Sequence, residues 1–308
     1  MLNSTKNIVE FVTSNYGLAE ENTATLLSIG VENNNYLIVA GKDEYVFRVY
    51  SLEHSIKGFR DIDSITQELL FMEHARQSGL LVPKIITASD GKMVSTIKNK
   101  SRYHSCILLQ KIQGTHPQYI TEHNVLQISE LVSKMFAVSR NFTLQTKLIE
   151  FDILTRAQSS VRKIKPDSKH ANSIMQIFNS VDHDTVENQK TGLIHGDIKL
   201  ENVLVDEENI ALLDFDDCRN SFLSEDITMT LMHNLHSKSQ NIIRAGFYEK
   251  FTNYVSNKEL KSIIQVTLRD MLRVRFVYDL CKYSLSGKDE LIDELLNDPY
   301  IAKHILKK

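Results

Sequence analysis

The sequence predicts an α+β chain in two lobes, a small β-rich lobe over residues 1–113 and a larger, mainly helical lobe over 114–308. Three observations carry that expectation. Short apolar or alternating runs broken by turn residues fill the first third. Helical periodicity dominates after Gly114. One passage interrupts the helices: LIHGDIKLENVLV at Leu193–Val205 reads strand, polar loop, strand, and ALLDFDDC follows from Ala211. At 308 residues and 42% hydrophobic, the chain is long enough for a large core or two lobes.

In the first lobe, Thr25–Ile29, Tyr36–Val39 and Tyr45–Tyr50 read as strands of a meander, with Gly30–Asn35 and Gly41–Glu44 as the turns. Ile65–Ser78 places Ile65, Leu69, Met72 and Ala75 at helical spacing, stops at Gly79 and has Pro83 beyond. A hairpin around Asp90-Gly91 leads into a buried strand, Ser105–Ile112. In the second lobe the spacing predicts helices over Asn124–Val138, Phe151–Ile164 and Ser173–Phe178 with its flanks. After the interrupting passage come Glu225–Leu235, Ile242–Tyr254, Leu260–Leu285 and Asp289–Leu306.

The passage carries the chemistry. Phosphoryl transfer needs one carboxylate to orient and deprotonate a hydroxyl, and oxygen ligands to hold Mg2+ on nucleotide phosphates. Asp197 suits the first task, and Asn202 with Asp214 suits the second. A plain β-turn between buried strands would account for Asp and Asn, but not for the second carboxylate or the spacing.

These residues resemble the H-x-D-x-x-x-x-N catalytic loop and D-F-G motif of protein kinases. Gly196 in place of Arg makes them more similar to the aminoglycoside phosphotransferase superfamily, which includes choline kinases and type II homoserine kinases. The resemblance implies a bilobal protein-kinase-like fold, ATP (or GTP) as donor, Mg2+ as cofactor and a small-molecule hydroxyl as acceptor. It makes Asp197 the catalytic base, Asn202 and Asp214 magnesium ligands, and His195 a support for the loop. Arg48 takes the place of the phosphate-contacting lysine of the third strand, and Glu68 that of its ion-pair partner. Gly30, Asn33 and Asn34 fall where a loop covers the phosphates, within a run, Glu32–Tyr36, similar to one in homoserine kinases. Leu109–Gly114 would be the hinge, with backbone groups of Gln110 and Ile112 on the adenine edge.

Two departures bear on the acceptor. Lys199 lies where serine/threonine protein kinases carry lysine, and a cation there can neutralise charge on the transferring phosphate. Asp216 replaces the glycine of D-F-G and is a further oxygen donor for Mg2+, in a run resembling a bacterial stress-response kinase branch. The acceptor therefore stays open between a metabolite or antibiotic and a protein serine or threonine. A nucleotide-binding regulatory module without catalysis is the remaining alternative. Arg269, Arg273 and Arg275 on one late helix read either as a clamp for an acceptor carboxylate or phosphate, or as a solvated face. Asp226 matches an aspartate of the resembled family at the start of the helix after the metal loop, and helix N-capping is a sufficient local reason for it. His233 and His236 read as ordinary helix histidines, not metal ligands.

Net charge is −3, so there is no bulk basic field to attract nucleic acid or an anionic membrane. The three cysteines, Cys106, Cys218 and Cys281, lack paired spacing and read as free thiols. With no signal-like N-terminus, the expected location is cytoplasmic. Oligomeric state is not legible.

Overall fold

The computed structural model describes residues 5–18, 21–29, 33–51, 53–54, 58–59, 61–99, 101–117, 121–143, 152–236 and 244–307. The fold is mixed α+β, an N-terminal antiparallel sheet followed by a mostly helical remainder, and its two compact units part after Gly114.

The first unit opens with a helix, α1 (Thr5–Tyr16), that the sequence reading does not contain. Its Ile8, Val12 and Tyr16 pack against Tyr36, Ile38, Phe47, Val49 and Leu108 of the sheet. That sheet runs β1 (Thr23–Ile29), β2 (Asn33–Ala40), β3 (Asp43–Tyr50), then β8 (Arg102–Gln110) and β6 (Ile85–Ile86), with β7 (Ser95–Asn99) also paired to β8. A two-residue pair, β4 (Glu53–His54) and β5 (Gly58–Phe59), lies apart from it. Successive side chains on β3 face opposite ways. Phe47 and Val49 take the α1 face, leaving Arg48 and Tyr50 for the other. There α2 (Ile62–Gln77) reaches Tyr50 through Glu68. Helix α2 starts three residues before its apolar stripe because the Asp61 carboxylate accepts the Ser64 N–H at 2.7 Å.

Two expectations are corrected here. Asn33 to Asn35 belong to strand β2, not a turn, because they pair in register with Tyr50, Val49 and Arg48 of β3. Asp90-Gly91 makes a tight turn, Gly91 N–H to the Ala88 carbonyl, but not a hairpin, since β6 and β7 both pair with β8.

The second unit contains α3 (Glu122–Asn141), α4 (Ile153–Val161), α5 (Ala171–Asn179) and a short α6 (His183–Glu187). Four small strands follow: β9 (Thr191–Ile194), β10 (Val203–Val205), β11 (Ile210–Leu212) and β12 (Arg219–Phe222). Then come α7 (Glu225–His236), α8 (Arg244–Tyr254), α9 (Lys258–Leu285), α10 (Asp289–Leu296) and α11 (Pro299–Ile301). Helix α9 is the hub, burying Leu268, Met271, Leu272, Phe276 and Leu280 and touching α4, α5, α6, α7 and α10. Helix α3 is fixed at its start by a capping box in which Thr121 and Asn124 exchange hydrogen bonds. The single helix expected over Asp289–Leu306 is broken. Pro299 lacks an N–H, and Asp298 caps a new start by accepting from Tyr300 and Ile301; a wider turn follows at Ala302–Leu306. Phe151, expected to open a helix, lies outside the described residues. No helix among them is long and apolar enough to cross a membrane.

Candidate active site

Strands β9 and β12 pair antiparallel, Ile194 opposite Arg219, and the excursion between them carries Asp197, Asn202, Asp214 and Asp216. The chain leaves β9 through His195, turns at Gly196 in the left-handed region (φ +83°), and presents Asp197. A 3₁₀ turn, Leu200–Asn202, delivers Asn202 before β10 begins. The hairpin β10–β11 returns the chain to Asp214, the only non-glycine residue at positive φ among the described residues (φ 61°, ψ 68°). Such a conformation at a carboxylate persists only where surroundings enforce it, which is common at functional sites.

The two loops are locked to each other. His195 is fully buried; its Nε2–H donates to the Leu213 carbonyl (3.0 Å) and its Nδ1 accepts the Asp197 N–H (3.2 Å). Because a carbonyl can only accept and an amide N–H only donate, these partners fix the ring tautomer. Phe215 packs edge-on against the same ring. Leu213 in turn donates its N–H to the Asn202 carbonyl (2.8 Å).

The Asp197 carboxylate sits between two donors. Asn202 Nδ2 donates to both its Oδ2 (2.8 Å) and its backbone carbonyl (2.9 Å), and Lys199 Nζ lies 2.5 Å from Oδ2. Burial by itself would depress the Lys199 pKa. The Asp197 carboxylate, with Glu201 and Asp217 near, outweighs it and holds that amine above its ordinary value. Asp216 is buried in the 3₁₀ turn Phe215–Asp217, and Asp214 stands at its head.

Three residues of the site have roles that spacing does not disclose. Asp226, read as a helix cap, instead turns its carboxylate to the catalytic loop and accepts from the N–H groups of His195 (3.0 Å) and Gly196 (2.7 Å). Complete burial raises its pKa, against the pull of those hydrogen bonds and of His195 and Arg219. Arg219 is buried against Glu225 and donates to the carbonyls of Asp217 (2.9 Å) and, at 3.4 and 3.5 Å, Gly196. Glu225, buried too, accepts from Ser221 Oγ with its other oxygen.

In the first unit, Arg48 lies on β3 opposite Asn35 and donates from Nε to the Asn35 amide oxygen (3.0 Å). Glu68 accepts from the Tyr50 hydroxyl (2.8 Å), so both candidates attach to the same face of β3. Asn33 is buried and Asn34 half-buried within β2, while Gly30 lies outside the described residues. Gln110 ends β8, its N–H committed to the Lys84 carbonyl (2.8 Å). Ile112 follows just beyond the strand. Around it, Glu44 of β3 accepts from Lys111 Nζ (2.8 Å) and Gln113 Nε2 (2.9 Å).

The late arginines meet different partners, although Arg269 and Arg273 border the same cavity. Arg273 is buried and ties the carbonyls of Ser180, Ile305 and Lys307, and Arg275 pairs with Asp279. Arg269 is exposed and lines a cavity of about 1370 Å³ between α5, α8 and α9, which no residue of the β9–β12 excursion lines. His233 pairs with Glu201 of the catalytic loop (2.9 Å), and the three cysteines are buried thiols.

Comparison with known proteins gives a family and a fold. The model of the phosphotransferase enzyme family matches residues 23–256. Among solved structures, a microcompartment-associated aminopropanol kinase shares 19% identity and a TM-score of 0.74, covering 98% of this chain and 99% of that one. An amicoumacin kinase in complex with AMP-PNP, Ca2+ and Ami gives 18% and 0.68, with 95% and 92% covered. A choline kinase from Cryptosporidium parvum gives 12% and 0.56, with 98% and 99% covered. At these identities the likeness shows a shared fold.

Proposed function

The chain belongs to the phosphotransferase enzyme family, and from that premise we propose that it moves the γ-phosphate of ATP to a hydroxyl of a small molecule. The observation that carries the proposal is the Asp197 carboxylate, pre-positioned by Asn202 and Lys199 on a loop locked to the Asp214 turn. Asp197 orients the acceptor hydroxyl and takes its proton as the new O–P bond forms. The bond from phosphorus to the β–γ bridging oxygen breaks, and ADP leaves. Lys199 stays charged beside Asp197 and offsets negative charge as it develops on the transferring group. Arg48, seated by Asn35 on β3, donates to phosphate oxygens. Gln110 and Ile112 would supply backbone groups for the base.

The donor set fits Mg2+. Asn202, Asp214 and Asp216 offer only hard oxygens, and Asn202 Nδ2, by facing Asp197, leaves its Oδ1 pointing elsewhere. No group of three or more His, Cys, Asp or Glu that could hold a metal occurs among the described residues, so phosphate oxygens would complete the shell. When bound, the ion neutralises phosphate charge and aligns the transferring group.

Neighbours named for aminopropanol, amicoumacin and choline support a small-molecule acceptor. Asp197→Ala is expected to abolish turnover while calorimetry still detects ATP binding; near-normal transfer would refute the assignment. The acceptor is found by measuring ATP consumption across amino alcohols, amino acids, sugars and antibiotics. A protein acceptor is the second reading, which Lys199 permits because it stands where serine/threonine protein kinases carry lysine. Phosphate on itself or on a generic protein by intact mass supports it.

A further inference from the structure

We infer that Arg219, held by Glu225, is a positioning residue that fixes the spacing between the catalytic base and the Asp214–Asp217 turn. The inference rests on the phosphotransferase reading above and concerns a residue that reaches neither substrate nor nucleotide, since it is 3% exposed.

The turn carrying Asp214 and Asp216 is gripped at both ends. At its head, His195 holds the carbonyl of Leu213, the residue before Asp214. At its tail, Arg219 holds the carbonyl of Asp217, the residue after Asp216. The same guanidinium faces the carbonyl of Gly196, the residue before Asp197. At 3.4 and 3.5 Å those two contacts are weak taken singly. Gly196 is also held from its other side, however, by Asp226 on its N–H at 2.7 Å. Gly196 therefore has a carboxylate on its N–H and a guanidinium at its carbonyl. A Cβ on Gly196 would fall 2.1 Å from Arg219 Nη1 and 2.6 Å from the Asp217 carbonyl oxygen, which shows how closely the loops and the arginine fit.

Stability alone does not account for such a pair. Replacing a buried ion pair by apolar groups of similar volume is often neutral or stabilising, because desolvation offsets the attraction. What apolar side chains lack is a planar fork able to donate to a carboxylate and to carbonyls of two loops at once. Ser221 and Glu225 complete the device: Ser221 donates to one Glu225 oxygen and leaves the other for Arg219.

Two variants test this. Arg219→Lys keeps the charge beside Glu225 but replaces the fork by a point donor. Arg219→Met combined with Glu225→Met removes the pair without stranding a buried charge. In each, kcat is expected to fall at least about tenfold, as for a misplaced catalytic group, with KM for ATP within about threefold and a cooperative melt retained. Amide exchange is expected to quicken together at residues 195–197 and 215–218, a readout that needs no acceptor and no turnover. Should one variant fail to fold, the other decides. A folded variant with kcat within about twofold of the parent and unchanged exchange in both segments overturns the inference. So does quickening in one segment alone or uniformly through the helical unit, which would mark Arg219 as ordinary core. If the parent transfers phosphate to nothing, the phosphotransferase reading falls, and the exchange data alone still decide whether Arg219 couples the loops.

Discussion

Replacing Asp226 by Asn is the sharpest perturbation of the site, because it changes one oxygen into a nitrogen and almost nothing else. The carboxylate accepts two backbone N–H groups, from His195 at 3.0 Å and Gly196 at 2.7 Å, while fully buried. An amide can satisfy one of them with Oδ1, but its Nδ2 then faces the other N–H donor to donor. The stranded donor costs about 1–3 kcal/mol. Against that, the variant no longer buries a charge, and burial is the largest influence on this group, raising its pKa. The net loss of stability is therefore at most about 3 kcal/mol, and the melting temperature falls by no more than about 12 °C at roughly 2–4 °C per kcal/mol. Activity should suffer far more. The His195 and Gly196 amides set where Asp197 starts, and a displacement near 1 Å costs on the order of 10²-fold. The assay is kcat for the best acceptor beside a calorimetric melt of the same sample. A variant that melts a few degrees lower yet keeps kcat within about threefold would refute the idea that this carboxylate places the base.

Arg48→Met keeps most of the stem volume and removes the guanidinium. KM for ATP should rise about ten- to a hundredfold, the equivalent of one charge-assisted bond, and an unchanged KM would take Arg48 out of the phosphate site. His304 stacks on Tyr248 at 4.4 Å, and burial lowers its pKa, Glu249 opposing and Lys303 and Arg269 assisting. A depressed folded pKa means the unfolded chain binds the proton more tightly, so this contribution is whole above about pH 6.5 and is lost as pH falls through the folded value. Melting curves between pH 7 and 5 should show the parent losing more stability than His304→Phe; parallel losses would show that the group does not titrate in that window.

What was legible in the chain follows the range of the interactions concerned. Asp197 and Asn202 are five apart and joined by side-chain hydrogen bonds, so their spacing carries their geometry. Strand β3 with Arg48 and helix α2 with Glu68 were readable for the same reason, through local periodicity. Asp226 was not, because its partners lie about thirty residues upstream and its position at the start of α7 offers a sufficient local explanation. Arg219 gives no local sign at all. Asn33–Asn35 read as a turn by composition, and pairing with β3 overrode that preference. The break after α10 was visible in principle, in the Asp298-Pro299 pair. The three arginines of α9 looked like one patch because side-chain direction on a helix does not reveal which neighbours each will meet. Arg273 fastens Ile305 and Lys307 and pairs with Asp270, Arg275 pairs with Asp279, and Arg269 faces solvent.

The pairing of β9 with β12 has a consequence for how such an enzyme can change. The chain departs and rejoins at the same rung, Ile194 opposite Arg219, so the chemical apparatus is an appendix tied at its neck. Changes in helices that do not touch the excursion leave that neck in place. The catalytic residues alone are not a portable unit, however. The anchors of the loop, Arg219, Glu225 and Asp226, lie at and just past the neck. A graft that keeps these anchors must run at least from Thr191 to Asp226, and a transplant that stops at the Asp214 motif would carry the reagents without the frame that aims them.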